Sequence, residues 1–301
     1  MVEHAAKVRH DFLRHDMQFP HVWCPGCGLG IVLGALIRAT ADLDIPQDEL
    51  VLASGIGCTG RMPAYVDFNT LHTTHGRALT FATGIKLANP SLTVLTVMGD
   101  GDATAIGGNH FIHAARRNLN MTAIIVNNRI YGMTGGQYSP TTPYGDKATT
   151  AVYGNIEHAF NIAELAVTAG ASFVARGTVH HVPQLDTLIK KGIRKKGFAV
   201  IEVISNCHTY YGRQNNMPDP VAHQLWMKEN AVSVGKAAKM SGEEMAGKFS
   251  IGVLADVDKP FYSEEYAKIR QRACDEVAPE VDEAEIKCEP DRSDEFISGN
   301  R

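Results

Sequence analysis

The chain has 301 residues, of which 44% are hydrophobic and 21% charged, an ordinary composition for a globular protein. Its formal net charge of −4 argues against a general nucleic-acid-binding protein. No apolar stretch approaches the ~18 residues of a membrane helix, and the N-terminus lacks the apolar core of a signal peptide. We therefore expect a cytoplasmic protein, in which six cysteines favour metal or redox work over structural disulfides.

Apolar runs alternate with helix-like segments over much of the chain. Strands are predicted at residues 49–53, 92–98, 121–126, 172–175 and 198–204. Helices are predicted at residues 29–41, 77–88, 106–119, 157–169 and 182–195. This alternation predicts an α/β fold with a doubly wound, mostly parallel sheet. Several strands are apolar throughout, as burial on both faces requires.

The two ends of the chain depart from this pattern. Residues 1–20 are polar and are expected to form an N-terminal arm, and residues 21–235 form the α/β domain. From residue 236 the pattern weakens, so residues 236–301 are predicted to be a C-terminal extension. This extension holds a candidate helix within residues 256–273 and ends in an acidic tail that we expect to be mobile.

Polar residues follow two consecutive predicted strands. Gly99-Asp100-Gly101 ends the first apolar run, and Asn127-Asn128 ends the second. Because parallel strands end at the same edge of a sheet, Asp100 and Asn128 can converge on one hard cation. Mg²⁺ prefers such oxygen ligands and completes its shell with phosphates, and the glycines let a phosphate approach backbone N–H groups. The sequence therefore predicts a magnesium-diphosphate site, although either half alone would be read as a turn or a strand end.

A long segment without clear periodicity, residues 129–156, begins directly after this site. It is rich in Gly, Thr, Tyr and Pro, and a long loop in a compact domain is usually functional. We expect this loop to cover the bound ligand.

Four cysteines are candidates for a second site. Cys24 and Cys27 form a C-x-x-C pair, which suits a metal or cluster, a redox pair, or half of a zinc site. Cys58 and Cys207 follow predicted strands and so reach the same sheet edge as the magnesium site. Four thiolates suit Zn²⁺ or an iron–sulfur cluster, and ligand count alone does not separate them. Cys274 and Cys288 match no motif and are expected to be ordinary free thiols.

These motifs carry a family resemblance. The 30 residues from Gly99 to Asn128 match the thiamine diphosphate signature, which runs from GDG to NN. Together with residues 23–28, 55–58, 75–78 and 131–137, this signature resembles the β subunit of the 2-oxoacid:ferredoxin oxidoreductases. The resemblance covers residues 18–230, with a weaker echo around residues 256–266.

The resemblance implies a thiamine diphosphate-binding domain of the diphosphate type and assigns its ligands. The magnesium ligands would be Asp100, Asn128 and the backbone carbonyl of Ile130. One [4Fe-4S] cluster would be held by Cys24, Cys27, Cys58 and Cys207. The cofactor would also contact a set of loop residues: Ile56, Gly57, Cys58, Thr59, His75, Gly99, Gly101, Asp102, Gly132, Met133 and Thr134.

Three of the implied roles have simpler alternatives. His75 would lie near the diphosphate, and its alternative is a surface histidine before a helix start. Arg61 would contact the substrate carboxylates, because arginine grips a carboxylate in bidentate fashion; the alternative is a surface arginine. Asp102 would line the cofactor site, and its alternative is a helix cap. The chemistry would fall on thiamine, so no side chain is predicted to be catalytic.

The implied activity is oxidative decarboxylation of a 2-oxoacid to its acyl-CoA with reduction of ferredoxin. The 2-oxoglutarate enzymes fit best, and pyruvate or branched-chain 2-oxoacids are alternatives. An α subunit is expected to hold the aminopyrimidine end of thiamine, as a heterodimer or a dimer of heterodimers. A thiamine decarboxylase or synthase component with structural zinc is the main rival interpretation, and a zinc-binding module without catalysis is a third.

Overall fold

A single eight-stranded sheet organises the chain in the computed structural model, which describes residues 11–14 and 19–277. Its strands are β1 (Leu50–Ser54), β2 (Asn69–His72), β3 (Thr93–Gly99), β4 (Met121–Asn127), β7 (Phe173–Thr178), β8 (Phe198–Ile204), β9 (Ala231–Ser233) and β10 (Phe249–Asp256). They lie in the order β2-β1-β3-β4-β8-β7-β10-β9. Only the pairing of β10 with β7 is antiparallel among these strands. The predicted α/β fold with a mostly parallel sheet is confirmed.

The described part of the chain also contains α-helices, one small hairpin, two 3₁₀ helices and one π-helix. The helices are α1 (Leu29–Ala41), α2 (Ala78–Ala88), α3 (Asp100–Thr104), α4 (Gly108–Arg117), α5 (Ile162–Thr168), α6 (Val182–Arg194), α7 (Pro220–Asn230), α8 (Val234–Ala237), α9 (Gly242–Met245) and α10 (Tyr262–Val277). The hairpin pairs β5 (Ile130–Tyr131) with β6 (Gln137–Tyr138). None of the helices in residues 11–14 and 19–277 has both the length and the apolar composition needed to cross a bilayer.

Successive residues of the central strands pack into different halves of the core. Leu52 and Ile124 pack in the cluster that includes residues of α1 and α6. Their neighbours Ala53 and Ile125 pack in the cluster that includes residues of α2, α4 and α5. Because side chains of a strand alternate between its two faces, the sheet is covered on both sides. Burial on both sides explains why these strands are continuous apolar runs.

The predicted helix over residues 106–119 corresponds to α4, which covers only Gly108–Arg117. A separate short helix that the sequence did not predict, α3, lies between β3 and α4 and begins at Asp100. Glycines at 107 and 108 favour a break between the two helices. Asp100, which is predicted to bind magnesium, therefore stands at a helix start as well as at a strand end.

The predicted C-terminal extension contributes to the main sheet. Its residues 249–256 form β10, which lies between β7 and β9. The candidate helix within residues 256–273 is present as α10. The rest of the predicted arm and tail, residues 1–10, 15–18 and 278–301, lies outside the described residues.

The aromatic pair of Phe111 and Phe198 gives a test of the core. Both side chains are 0% exposed, and their rings meet edge to face with centroids 6.4 Å apart. Phe111→Ala is expected to lower the free energy of unfolding by about 3–5 kcal/mol, because it leaves a cavity. Chemical denaturation measures this loss. Phe81→Ala is the control, since its ring is 49% exposed, and its effect should stay within about 0.5 kcal/mol; equal losses would contradict this packing.

Candidate cofactor-binding site

Two adjoining cavities open at the carboxyl ends of β1, β3, β4 and β8. The first has a volume of about 270 Å³. It is lined by Ile56, Gly57, Cys58, Thr59, His75, Gly99, Asp100, Gly101, Asp102, Asn128, Ile130, Tyr131, Gly132, Met133 and Thr134. The structure thus brings together every residue expected to touch thiamine diphosphate or magnesium. Their contacts with a cofactor stay a prediction.

Tyr131 is the one lining residue absent from the expected set, although it lies inside a motif that carried the resemblance. Its hydroxyl donates to the carbonyl oxygen of Gly101 at 3.2 Å. A side chain at position 101 would lie 2.3 Å from the Tyr131 ring, so glycine is required there. Burial raises the pKa of Tyr131 to about 12, with a further contribution from the nearby carboxylates of Asp100 and Asp102. Tyr131 could have been predicted to line the cavity, because it lies between Ile130 and Gly132, which are both in the predicted set.

Asp100 is a buried carboxylate held by two hydroxyl groups. Ser139 Oγ and Thr141 Oγ1 both donate to Asp100 Oδ2, at 2.5 and 2.6 Å. Burial raises the pKa of Asp100, and the two hydroxyl donors act against that rise. A buried anion of this kind is stabilised by a cation, so the carboxylate suits a metal ion in the first cavity.

A short turn after β4 places Asn128 beside Asp100 in the cavity wall. Asn127 Oδ1 accepts the N–H of Arg129 at 3.2 Å, and Asn128 Oδ1 accepts the N–H of Ile130 at 3.3 Å. Arg129 has a φ of +66°, in the left-handed region. This turn therefore brings Asn128 and Ile130 to the cavity that Asp100 also lines.

Asp102 ties two loops together. Its Oδ1 accepts the N–H of Gly76 at 2.6 Å and the N–H of Ile56 at 3.4 Å. His75 Nδ1 lies 2.9 Å from the same oxygen, at ion-pair distance but without the alignment of a hydrogen bond. Burial raises the pKa of Asp102, while the Gly76 N–H and His75 lower it. The alternative of a cap on the next helix is not observed, since α4 has no side-chain cap.

Arg61 does not line either cavity. It is exposed on the 3₁₀ helix Thr59–Tyr65. Within residues 11–14 and 19–277, no side chain forms an ion pair with it. Its role toward the substrate stays a prediction.

The second cavity collects four cysteines. It has a volume of about 270 Å³, and Cys24, Cys27, Cys58 and Cys207 all line it. Both cavities share Cys58, Asn128, Gly132 and Met133. A side chain at Gly132 would lie 3.5 Å from the sulfur atoms of both Cys58 and Cys207. The backbone at Gly132 therefore forms part of the wall between the two spaces.

The partly buried thiols of this cavity, those of Cys27, Cys58 and Cys207, resist ionisation. Burial is the largest cause, raising the pKa of Cys27 to about 12 and that of Cys58 to about 11, and it also raises the pKa of Cys207. Neighbouring cysteines raise each value further. Across the described part of the chain, no three His, Cys, Asp or Glu side chains converge on the position of a single metal ion. The four thiols surround a space rather than a point.

Cys274 differs from the expectation of an ordinary free thiol. It is disulfide-bonded, so that expectation is wrong for this residue. Motifs of cofactor ligands carry no sign of pairing between two cysteines, so the sequence motifs did not predict this disulfide. Cys288 lies outside the described residues.

Comparison with known proteins first gives the class. Residues 49–203 match the thiamine pyrophosphate enzymes, in their C-terminal TPP binding domain. Subunit KorB of the 2-oxoglutarate synthase of Methanocaldococcus jannaschii is 51% identical over 87% of this chain and 96% of its own. The beta subunit of a 2-oxoacid:ferredoxin oxidoreductase of Saccharolobus solfataricus is 47% identical over 62% of each chain.

A solved structure shows similarity to the same class of enzyme. It is the 2-oxoglutarate:ferredoxin oxidoreductase from Magnetococcus marinus, with 2-oxoglutarate, coenzyme A and succinyl-CoA bound. It superposes with a TM-score of 0.78 at 34% identity, covering 88% of this chain and 90% of that chain. The chain belongs to the β-subunit family of the 2-oxoacid:ferredoxin oxidoreductases.

The loop-tying role of Asp102 can be tested directly. Asp102→Ala leaves the N–H groups of Gly76 and Ile56 without their acceptor, which should cost about 1–3 kcal/mol of unfolding free energy. Hydrogen exchange at the Gly76 amide should become faster. Asp102→Asn keeps an acceptor oxygen and should lose less on both measures. Unchanged stability and exchange in the alanine variant would refute this role.

Proposed function

We propose that this chain is the thiamine diphosphate-binding β subunit of an oxidoreductase that converts 2-oxoglutarate, coenzyme A and oxidised ferredoxin to succinyl-CoA, CO₂ and reduced ferredoxin. The main support for the proposal is that the two cavities adjoin each other. They share the lining residues Cys58, Gly132 and Met133. The names of the relatives and the ligands of the Magnetococcus marinus enzyme support 2-oxoglutarate as substrate.

The first cavity fits Mg²⁺ and a diphosphate. We assign Asp100, Asn128 and the carbonyl of Ile130 to the metal, because a carboxylate and amide oxygens are its preferred protein ligands. Gly57 has a φ of +122°, and no atom lies within 4 Å of the point where a side chain would begin, so its backbone is open to an incoming phosphate. Thiamine, when bound, supplies the electron sink that permits loss of CO₂.

The second cavity fits one [4Fe-4S] cluster. A cluster spreads its four thiolate ligands around several atoms, whereas a zinc ion draws four ligands to one point. Thiols that surround a space of about 270 Å³ suit the cluster better. The oxidation of a 2-oxoacid releases two electrons, and a cluster beside the first cavity can pass them one at a time to ferredoxin.

An α subunit is part of the proposal. Apolar side chains are unusually exposed on the loop of residues 129–156, where Tyr153 is 100% and Ile156 82% exposed. Such clusters mark protein contacts, so we assign this loop to the face that meets the α subunit. Arg61, exposed near the same edge, would reach a substrate carboxylate from that side. A cytoplasmic location fits ferredoxin as electron acceptor.

Iron content tests the cluster against structural zinc. The complex purified without oxygen should be brown, hold four irons per β chain and bleach on addition of dithionite. Cys207→Ala should lose most of this absorbance, because it removes one of the four cavity thiols. Cys274→Ala is the matched control and should keep the colour, since Cys274 is not one of these thiols. A colourless wild-type protein with one zinc per chain would refute the cluster.

Substrate choice is tested on the assembled complex. Reduction of ferredoxin in the presence of coenzyme A should be at least tenfold faster with 2-oxoglutarate than with pyruvate or a branched-chain 2-oxoacid, measured as kcat/KM. This chain without its α subunit should be inactive with each of them. Higher kcat/KM for pyruvate would overturn the assignment of 2-oxoglutarate, and full activity of the isolated chain would overturn the need for a partner.

A further inference from the structure

We propose that four buried residues behind the first cavity, Arg176, Glu202, Asn127 and Thr141, position the magnesium ligands Asp100 and Asn128. The inference rests on the proposed function, in which these two residues bind the metal. None of the four lines the cavity. They would act by orienting the metal ligands and are therefore positioning residues.

The network begins with an ion pair in the middle of the sheet. Arg176 on β7 and Glu202 on β8 stand opposite each other in the strand register, with Nε and Oε2 2.8 Å apart. Their side chains are only 8% and 2% exposed. Replacing a buried ion pair by apolar residues is often neutral for stability. A pair kept among apolar strand residues therefore suggests a task other than stabilising the fold.

Glu202 fixes the orientation of the Asn127 side chain. The second carboxylate oxygen, Oε1, accepts from Asn127 Nδ2 at 2.9 Å. Because an ionised carboxylate only accepts hydrogen bonds, the NH₂ group of Asn127 must face Glu202 and its Oδ1 must face away. Oδ1 then accepts the N–H of Arg129 at 3.2 Å, which closes the turn that holds Asn128.

Thr141 connects Asn127 to Asp100. Its hydroxyl lies 3.0 Å from Asn127 Oδ1 and 2.6 Å from Asp100 Oδ2. A hydroxyl carries one proton, so this proton is shared between two acceptors. The position of the Asn127 oxygen thus affects how strongly Thr141 binds the carboxylate. The orientation of both metal ligands depends on Glu202 through Asn127.

Arg176 is itself anchored at its far side. Its Nη2 donates to Asn161 Oδ1, and the same oxygen accepts the N–H of Glu164 as the cap of α5. The network therefore runs from the start of a helix, across two strands, to the wall of the cavity. Its members have few alternative partners in this arrangement, which suits a support for ligands that must keep one geometry.

The test measures metal affinity in the assembled complex with thiamine diphosphate present, by titration with Mn²⁺ followed by electron paramagnetic resonance. Thr141→Val removes the bridging hydroxyl with little change in shape. A double variant, Arg176→Met with Glu202→Met, removes both charges together and leaves no unpaired buried ion. Both should bind Mn²⁺ about 10–100-fold more weakly. Thr141→Val should keep the circular dichroism and the unfolding midpoint of the wild type, whereas the double variant also leaves Asn127 Nδ2 without its acceptor and should lose some stability.

Thr122→Val is the matched control. Thr122 is also a buried threonine, on β4, but its hydroxyl donates to Gly192 at the opposite end of the strand. This variant should bind Mn²⁺ as the wild type does. Wild-type affinity in both Thr141→Val and the double variant would overturn the positioning role. If the double variant does not fold, Thr141→Val decides alone.

Asp100→Ala separates this inference from the proposed function. It removes the carboxylate assigned to the metal and should abolish measurable Mn²⁺ binding. If Asp100→Ala binds Mn²⁺ normally, the proposed magnesium site itself is wrong. If Asp100→Ala loses binding while Thr141→Val and the double variant keep it, only the positioning role is wrong.

Discussion

Parallel pairing of the central strands is the constraint on which the rest of the structure depends. Because β1, β3, β4 and β8 run in the same direction, the segments that follow them meet at one edge of the sheet. Asp100, Asn128, Cys58 and Cys207 come from four separate stretches of sequence and reach that edge for this reason alone. The same arrangement makes the two cavities neighbours. Adjacency of the proposed diphosphate site and the proposed cluster site is thus a consequence of the topology.

This edge concentrates buried polar groups that are costly without partners. The carboxylates of Asp100 and Asp102 and the thiols of Cys27 and Cys58 all have their pKa raised by burial. Protein donors satisfy part of this cost, as the two hydroxyls on Asp100 do. A bound metal cation or cluster would offset the remaining cost of burying these polar groups. Groups held in a charge-poor environment and aimed into a cavity indicate a binding site that the chain alone does not complete.

The sequence predicted the buried centre of the sheet well and its periphery poorly. The strand over residues 198–204 was predicted to the residue, because burial on both faces imposes an unbroken apolar run. By contrast, β2 and β10 consist mostly of half-buried or exposed residues and carry no such run, so neither was recognised. The residues that line the first cavity, apart from Tyr131, were predicted because they lie in motifs. Glu202 was predicted only as part of a strand. Its ion-pair partner, Arg176, lies on another strand, and the sequence does not show which residues face each other across strands.

In the proposed reaction, carbon chemistry in the first cavity delivers electrons to a cluster in the second. The most direct measurement mixes the assembled complex anaerobically with 2-oxoglutarate, without ferredoxin, and records the electron paramagnetic resonance spectrum after rapid freezing. We expect the signal of a reduced [4Fe-4S] cluster to appear together with release of CO₂. Release of CO₂ with no change in the iron signal would contradict it.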